Sequence, residues 1–191
     1  MNTQETTFIN PFGVELDLVE GLMRQPKNHL VRRASDMRGY YADAAALERL
    51  IADQQDPLHY EVFEVPVPEE RGHLMYCIST LQPGLVGDEF FMTKGHYHSV
   101  LNTAEVYLCL RGKGYMVMKT ADGQFAAEQM TRGRMVYVPP YWAHRSVNTG
   151  SGEPLVSFCV YPADAGHNYG DIAQQGFPKR IFQRNNECVI E

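Results

Sequence analysis

The stretch TKGHYHSVLNTAEVY, residues 93–107, carries two histidines one residue apart, His96 and His98, followed by the carboxylate of Glu105. Imidazole is the commonest metal ligand near neutral pH, and a carboxylate adds a hard oxygen donor. In an extended chain residues i and i+2 face the same side, so His96 and His98 point together. A hairpin that returns Glu105 to that face would gather three ligands around one point. PPYWAHRSVN supplies a fourth candidate, His144, just past a strand and a Pro-Pro turn. An HxH pair alone is a weak signal, because an ordinary strand also carries polar residues at alternate positions on its wet face.

The elements that must position these groups are mostly strands. One helix is clear: DAAALERLIADQQDP opens on the capping residue Asp43 and stops before Pro57. The sequence that follows reads as short strands at 59–67, 73–83, 105–112, 114–120, 125–130, 134–140 and 154–162, separated by Gly, Pro and Asp turns. ADG at 121–123 predicts a tight hairpin, and Asn185-Asn186 predicts the turn of another within RIFQRNNECVI. So many short strands predict a mainly β sandwich or barrel, since closure removes exposed edges. One domain is expected over 1–191: an arm and helix packed outside over 1–55, the barrel over about 59–162, and a C-terminal lip and hairpin over 163–191.

Bulk composition narrows the function. With 44% apolar and 21% charged residues the chain can bury a real core. The net charge of -6 argues against nucleic acid, which demands a basic patch. Cys77, Cys109, Cys159 and Cys188 are widely spaced without a CxxC pattern and read as reduced thiols. The N-terminus lacks a basic and apolar leader, and no apolar run suits a membrane helix, so a cytoplasmic protein is expected.

HYHSVLNTAEVYLCLRG resembles the first cupin motif, two histidines around one residue, then a glutamate with Gly112 closing the pattern. GRMVYVPPYWAHRSVN resembles the second, through Gly133, Pro139, His144 and Asn148. Two departures stand out. Six residues separate His98 from Glu105, more than most cupins have, and Tyr141 stands where the second motif usually has glycine. FFMTKGHYH, AEVYLCLRGKG, VYVPPYWAHR and YPADAGHNYG together resemble the cupin-type, or archaeal-type, glucose-6-phosphate isomerases, with further likeness in PFGVELDL and RRASDMRGYYAD.

The resemblance implies a cupin double-stranded β-helix (a jelly-roll barrel). It implies that His96, His98, Glu105 and His144 hold one divalent metal per subunit, ferrous iron in the family, with manganese, nickel or zinc also suited to this donor set. Glu105 is the implied base at C2 of the sugar, although a carboxylate engaged with a cation is a weak one. A hydride shift from C2 to C1 would need no base. Thr93, Lys94 and Gly95 precede the ligand pair, and Ser79 lies on a neighbouring predicted strand; hydroxyls, an ammonium and a bare amide are groups that cradle phosphate. The family places phosphate contacts at positions matching Ser79, Thr93 and Gly95. Tyr107 shares a strand face with Glu105 and is a substrate-contact candidate. YPADAGHNYG reads as a lip, with Tyr161, His167 and Tyr169 positioning sugar hydroxyls and His167 assisting ring opening.

Other residues are expected to be structural. His29, His59 and His73 lack partner spacing, the basic run at 24–33 reads as a solvated turn, Trp142 as a wall beside His144, and Met92, Met116, Met118 and Met135 as core. The expected partner is a small sugar phosphate, in a homodimer formed through edge strands, without nucleic acid or membrane. Two rival readings share the ligand set or the fold: a non-haem iron dioxygenase and a non-catalytic sugar-binding cupin. The first needs a site open to O2 and usually an apolar pocket; the second need not keep all four ligands.

Overall fold

The computed structural model describes residues 9–191. The first eight residues of the expected arm, on which part of the leader-free reading rests, lie outside that range. Eleven strands of four or more residues carry the fold among the described residues: β1 Asn28–Arg33, β2 Leu58–Glu64, β3 Leu74–Leu81, β4 Glu105–Arg111, β5 Lys113–Lys119, β6 Phe125–Thr131, β7 Met135–Val138, β8 Ala143–Asn148, β9 Leu155–Pro162, β10 Ile181–Arg184 and β11 Glu187–Ile190. The helices are α1 Ala44–Asp53 and α2 Gly170–Gln175.

Two antiparallel sheets form the barrel walls. One has six strands in the order β7-β4-β9-β3-β2-β1, the other three in the order β6-β5-β8. This is the mainly β barrel that the strand pattern predicts. Inward-facing alternate positions fill the space between: Met116, Met118, Val136, Val138, Leu81 and Cys159 are all buried. Met92 is core as expected, but Met135 is 68% exposed. It precedes Val136 in a strand whose alternation turns Met135 and Tyr137 outward.

The sequence signals act locally as their chemistry dictates. Asp43 caps α1 by accepting from the Ala46 amide at 2.8 Å. Asn185 and Asn186 both take positive φ, the left-handed pair that a two-residue hairpin between β10 and β11 requires. Thr120 and Gln124 close the ADG turn between β5 and β6. Cys77, Cys109 and Cys159 are buried free thiols in strands, and Cys188 is exposed.

Three parts of the fold depart from expectation. The basic run at 24–33 is a turn only at its start; NHLVRR forms β1, paired along β2 at the edge of the six-stranded sheet. The arm is thus partly built into the barrel wall. AHRSVN forms β8, buried at every position, with His144, Arg145, Ser146 and Asn148 among the buried polar groups. A strand covered on both sides shows no polar alternation, which hides it. The six-residue α2 adds a second helix, too short to show a helical period. Among the described residues no helix is long and apolar enough to cross a membrane.

His59 bears out its structural reading. It is fully buried, its Nε2 is 2.8 Å from the Tyr41 hydroxyl, and Phe91 packs on its ring. Desolvation lowers its pKa to about 3. The unfolded chain therefore binds this proton first, and stability falls as pH drops from about 6.5 towards 3. Urea melts of His59→Gln should show a shallower loss across that window than the parent protein; parallel slopes would refute the assignment.

The motif glycine Gly112 sits at φ +78, and a Cβ there would meet the Pro154 carbonyl oxygen and Leu155 Cα, both backbone. Neither neighbour can rotate away. Gly112→Ala is expected to cost about 2 kcal/mol or more in equilibrium unfolding; a loss under half of that would mean that the hairpin yields.

Candidate active site

His96 and His144 face one another across an antiparallel bridge, with His96 N donating to His144 O at 3.2 Å and His144 N to His96 O at 3.0 Å. Gly95 makes this approach feasible. It has φ +77, and a Cβ would meet Arg145 Cβ and Phe177 at 2.9 Å. Glu105, the first residue of β4, brings its Oε2 to 2.9 Å from His144 Nε2 and 3.2 Å from His98 Nε2. One ligand atom from each of His96, His98, Glu105 and His144 lies within 4.8 Å of the others. All four predicted ligands therefore converge.

The donor set fits a divalent cation. His96 Nε2 is buried without a hydrogen-bond partner, an expensive arrangement unless an ion uses its lone pair. Burial, then the neighbouring His144, His167 and His98, holds the His96 pKa well below its ordinary value, so the ring is neutral and its lone pair is free. Burial alone would raise the pKa of Glu105. Hydrogen bonds and charge from His144 and His98 more than offset this and bring it to about 2.

The longer spacing before Glu105 has a consequence. Thr103, in the extra loop, donates its hydroxyl proton to Val100 O at 2.6 Å and so must accept from His98 Nδ1–H at 2.9 Å. This orients the His98 ring with Nε2 toward the other ligands. Tyr141, the other departure, takes φ +69, the left-handed conformation that glycine would supply there, and donates its amide to Leu101 O at 2.7 Å. Asn148 of the second motif is structural: its Nδ2 donates to Leu81 O and Glu153 O, and its Oδ1 accepts from Gly150 N.

The cluster opens onto a cavity of about 340 Å³ lined by alternate residues of one sheet face. Glu105 and Tyr107 come from β4, Cys159 and Tyr161 from β9, Met75, Cys77 and Ser79 from β3, Tyr60, Val62 and Glu64 from β2, and Leu30 and Arg32 from β1. Thr93, Lys94 and Gly95 close another wall. The Thr93 hydroxyl accepts from Ser146 N at 3.1 Å, leaving its proton free for the cavity. The lip is pinned by antiparallel pairing of Tyr97 with Asn168, which places His167 and Tyr169 on the same side as His96 and His98. The His167 and His96 ring centroids are 4.5 Å apart, and Tyr169 stacks on His167. Desolvation among these rings lowers the His167 pKa, although part of its surface stays open. Tyr161 donates to Glu64 Oε1 at 3.2 Å.

Every predicted site residue thus lies in the ligand cluster or on this cavity. Trp142 does not wall the centre; it lines a separate outer groove with Met118, Pro139 and Tyr137. Arg32, Tyr60 and Glu64 were not foreseen. Their signal is the alternation of L-V-R in β1 and Y-E-V-F-E in β2, which puts Leu30 and Arg32, and Tyr60, Val62 and Glu64, on the sheet's inner face.

The Thr103 contact predicts a measurable loss. Thr103→Val should weaken divalent-metal binding about 10- to 100-fold in chelator competition, with Thr103→Ser restoring most of it. Equal affinity in the valine variant would show that His98 needs no such partner.

The family model for glucose-6-phosphate isomerase (GPI) matches residues 31–190. Proteins named glucose-6-phosphate isomerase from Thermococcus litoralis and Pyrococcus furiosus are 47% and 48% identical over 181 and 180 residues, covering 95% and 94% of this chain and 94% of each relative. An oxalate oxidase structure aligns over 59% of this chain and 56% of its own, at 14% identity and a TM-score of 0.48. The match along most of the chain, through the ligand cluster and the lip that covers it, means that this protein belongs to the glucose-6-phosphate isomerase family.

Proposed function

We propose that this protein interconverts glucose 6-phosphate and fructose 6-phosphate with one divalent metal per subunit. The observation that carries the reading is a single cavity bounded by the four-ligand cluster and by the phosphate-type donors Ser79, Thr93, Lys94 and Gly95. His96, His98, Glu105 and His144 would hold the ion, for which ferrous iron is the proposal, and three nitrogens with one carboxylate also suit manganese, nickel or zinc. When bound, the ion supplies a Lewis acid for the oxygens on C1 and C2.

The chain's own groups do the rest. Glu105 would hold the ion through Oε2, the oxygen nearest His98 and His144, with Oε1 proposed to accept the C2 proton and return it at C1. The neutral His167 ring moves a proton between ring oxygen and O1 hydroxyl as the pyranose opens. Tyr161, whose pKa burial raises, keeps its proton and orients hydroxyls, with Tyr107 and Tyr169 as further contacts. Thr93 and Ser79 hydroxyls, the Gly95 amide and the Lys94 ammonium receive the phosphate. A dioxygenase has no use for this last set of donors.

The proposed setting is a cytoplasmic homodimer of single-domain subunits acting in glycolysis or gluconeogenesis. Ile9, Phe12, Leu18, Val19 and Leu22 expose apolar surface on the arm that a partner subunit would cover.

The test is conversion of fructose 6-phosphate after chelation and again after adding ferrous, manganous or zinc ion. Activity should fall at least about tenfold and return with metal. No turnover with any metal, in protein that still binds one, refutes the substrate assignment. Glu105→Gln with metal retained should lose at least about 100-fold in rate; an unchanged rate rules out Glu105 as the base and favours the hydride shift.

A further inference from the structure

We infer that Arg32 is a substrate-binding residue that sets specificity for the phosphorylated sugar, acting with Lys94 as a two-cation clamp on the phosphate. The inference rests on the isomerase reading above and adds a residue to its site. Arg32 lies on β1, where alternation turns Leu30 and Arg32 into the cavity and Val31 outward. It stands in register with Tyr60 of β2, itself a cavity residue.

The guanidinium is held there without a counter-charge. Arg24, Arg38, Arg111, Arg134, Arg180 and Arg184 each meet a carboxylate at 2.6–3.0 Å. Among the described residues Arg32 meets none, as is true of Arg33, Arg71, Arg132 and Arg145, and of these Arg32 alone lines the cavity. Its Nε is sealed from solvent with no hydrogen-bond partner, Nη1 reaches Val31 O at 3.5 Å, and the guanidinium otherwise meets the neutral Tyr60 hydroxyl. An unpaired buried donor on a cation is costly, so the arrangement persists where a ligand completes it. Lys94, on the facing wall, is likewise unpaired among the described residues; its ammonium lies 5.3 Å from the centre of the Tyr40 ring.

The cavity's carboxylates do not neutralise the pair. Glu105 is bound up with the ligand histidines, Glu64 accepts from Tyr161, and Glu69 sits exposed at the rim. The two cations repel each other, Asp36 offsetting this at Lys94 only in part, until an anion bridges them. A phosphate monoester brings nearly two negative charges at neutral pH, and its oxygens match the planar fork of a guanidinium. A sugar without phosphate leaves both cations unanswered.

The experiment measures steady-state kinetics on fructose 6-phosphate with metal-loaded protein, for the parent, Arg32→Gln and Arg32→Lys. It also records inhibition and thermal-melt shifts by inorganic phosphate. Arg32→Gln should raise KM about tenfold or more with kcat within about threefold, and weaken phosphate inhibition in step. Arg32→Lys should recover part of both. If KM and phosphate inhibition are unchanged, or if kcat falls alone with metal content, Arg32 is no phosphate ligand and the inference is overturned. Should Arg32→Gln fail to fold, Arg32→Lys decides: a KM and a phosphate-induced melt shift equal to the parent's overturn it. A parent that turns over no fructose 6-phosphate, yet shows a phosphate-induced melt shift that Arg32→Gln loses, keeps the anion site and discards the isomerase reading. A parent insensitive to both discards the two together.

Discussion

A single buried oxygen, Glu105 Oε2, organises this molecule. A carboxylate so deeply enclosed is unfavourable unless polar or charged groups meet it, and here the Nε2 atoms of His98 and His144 lie 3.2 and 2.9 Å away. These three residues lie on separate segments, so satisfying the carboxylate forces the ligand hairpin, β4 and β8 to converge. Much of the unusual local chemistry serves that convergence. Gly95 lets the ligand segment approach β8, Tyr141 accepts a left-handed conformation at the turn before it, and Asn148 fastens the end of β8 with three hydrogen bonds.

The six-stranded sheet then acts as a ruler. Because successive strands present every second residue to the same side, one face holds Glu105 near one end and Arg32 near the other, across β4, β9, β3, β2 and β1. A ladder of backbone hydrogen bonds fixes these separations better than loops could. The lip is attached differently, through the Tyr97–Asn168 pairing and neighbouring amides, so His167 and Tyr169 depend on the ligand hairpin for their position. The end proposed to hold a metal and the end proposed to bind an anion are thus rigidly spaced, while the groups proposed to handle hydroxyls are added from above.

How much of this could be read in advance depended on whether a residue's role left a local pattern. The four ligands were legible because i, i+2 spacing and two motifs mark them, and the barrel because turn residues separate β-rich runs. Arg32 left no such mark: in NHLVRR the polar residues outnumber the apolar ones, so an edge strand looks like a solvated run, and only pairing with β2 reveals its inward face. The strand β8 was hidden for the opposite reason, since all six of its residues are buried, polar ones included. Thr103 was hidden within a loop that sequence shows only as an insertion; its value lies in a hydrogen bond that forms when the loop folds back on His98.

The same contacts that stabilise Glu105 limit what it can do on the proposed reaction. His144 and His98 hold the Glu105 carboxyl below its ordinary pKa against the opposing effect of burial, so it is ionised and a weak base. General-base catalysis improves as the base strengthens, and such a group is far from the optimum. A weak base suffices only if the carbon acid it faces has been made stronger, which is the contribution expected of a cation beside the sugar's two oxygens. On that proposal, raising the basicity of Glu105 by loosening its histidines would weaken the metal binding meant to make the C2 proton acidic. The proposed arrangement serves both demands, with Oε2 on the side of the histidines and Oε1 left for the proton.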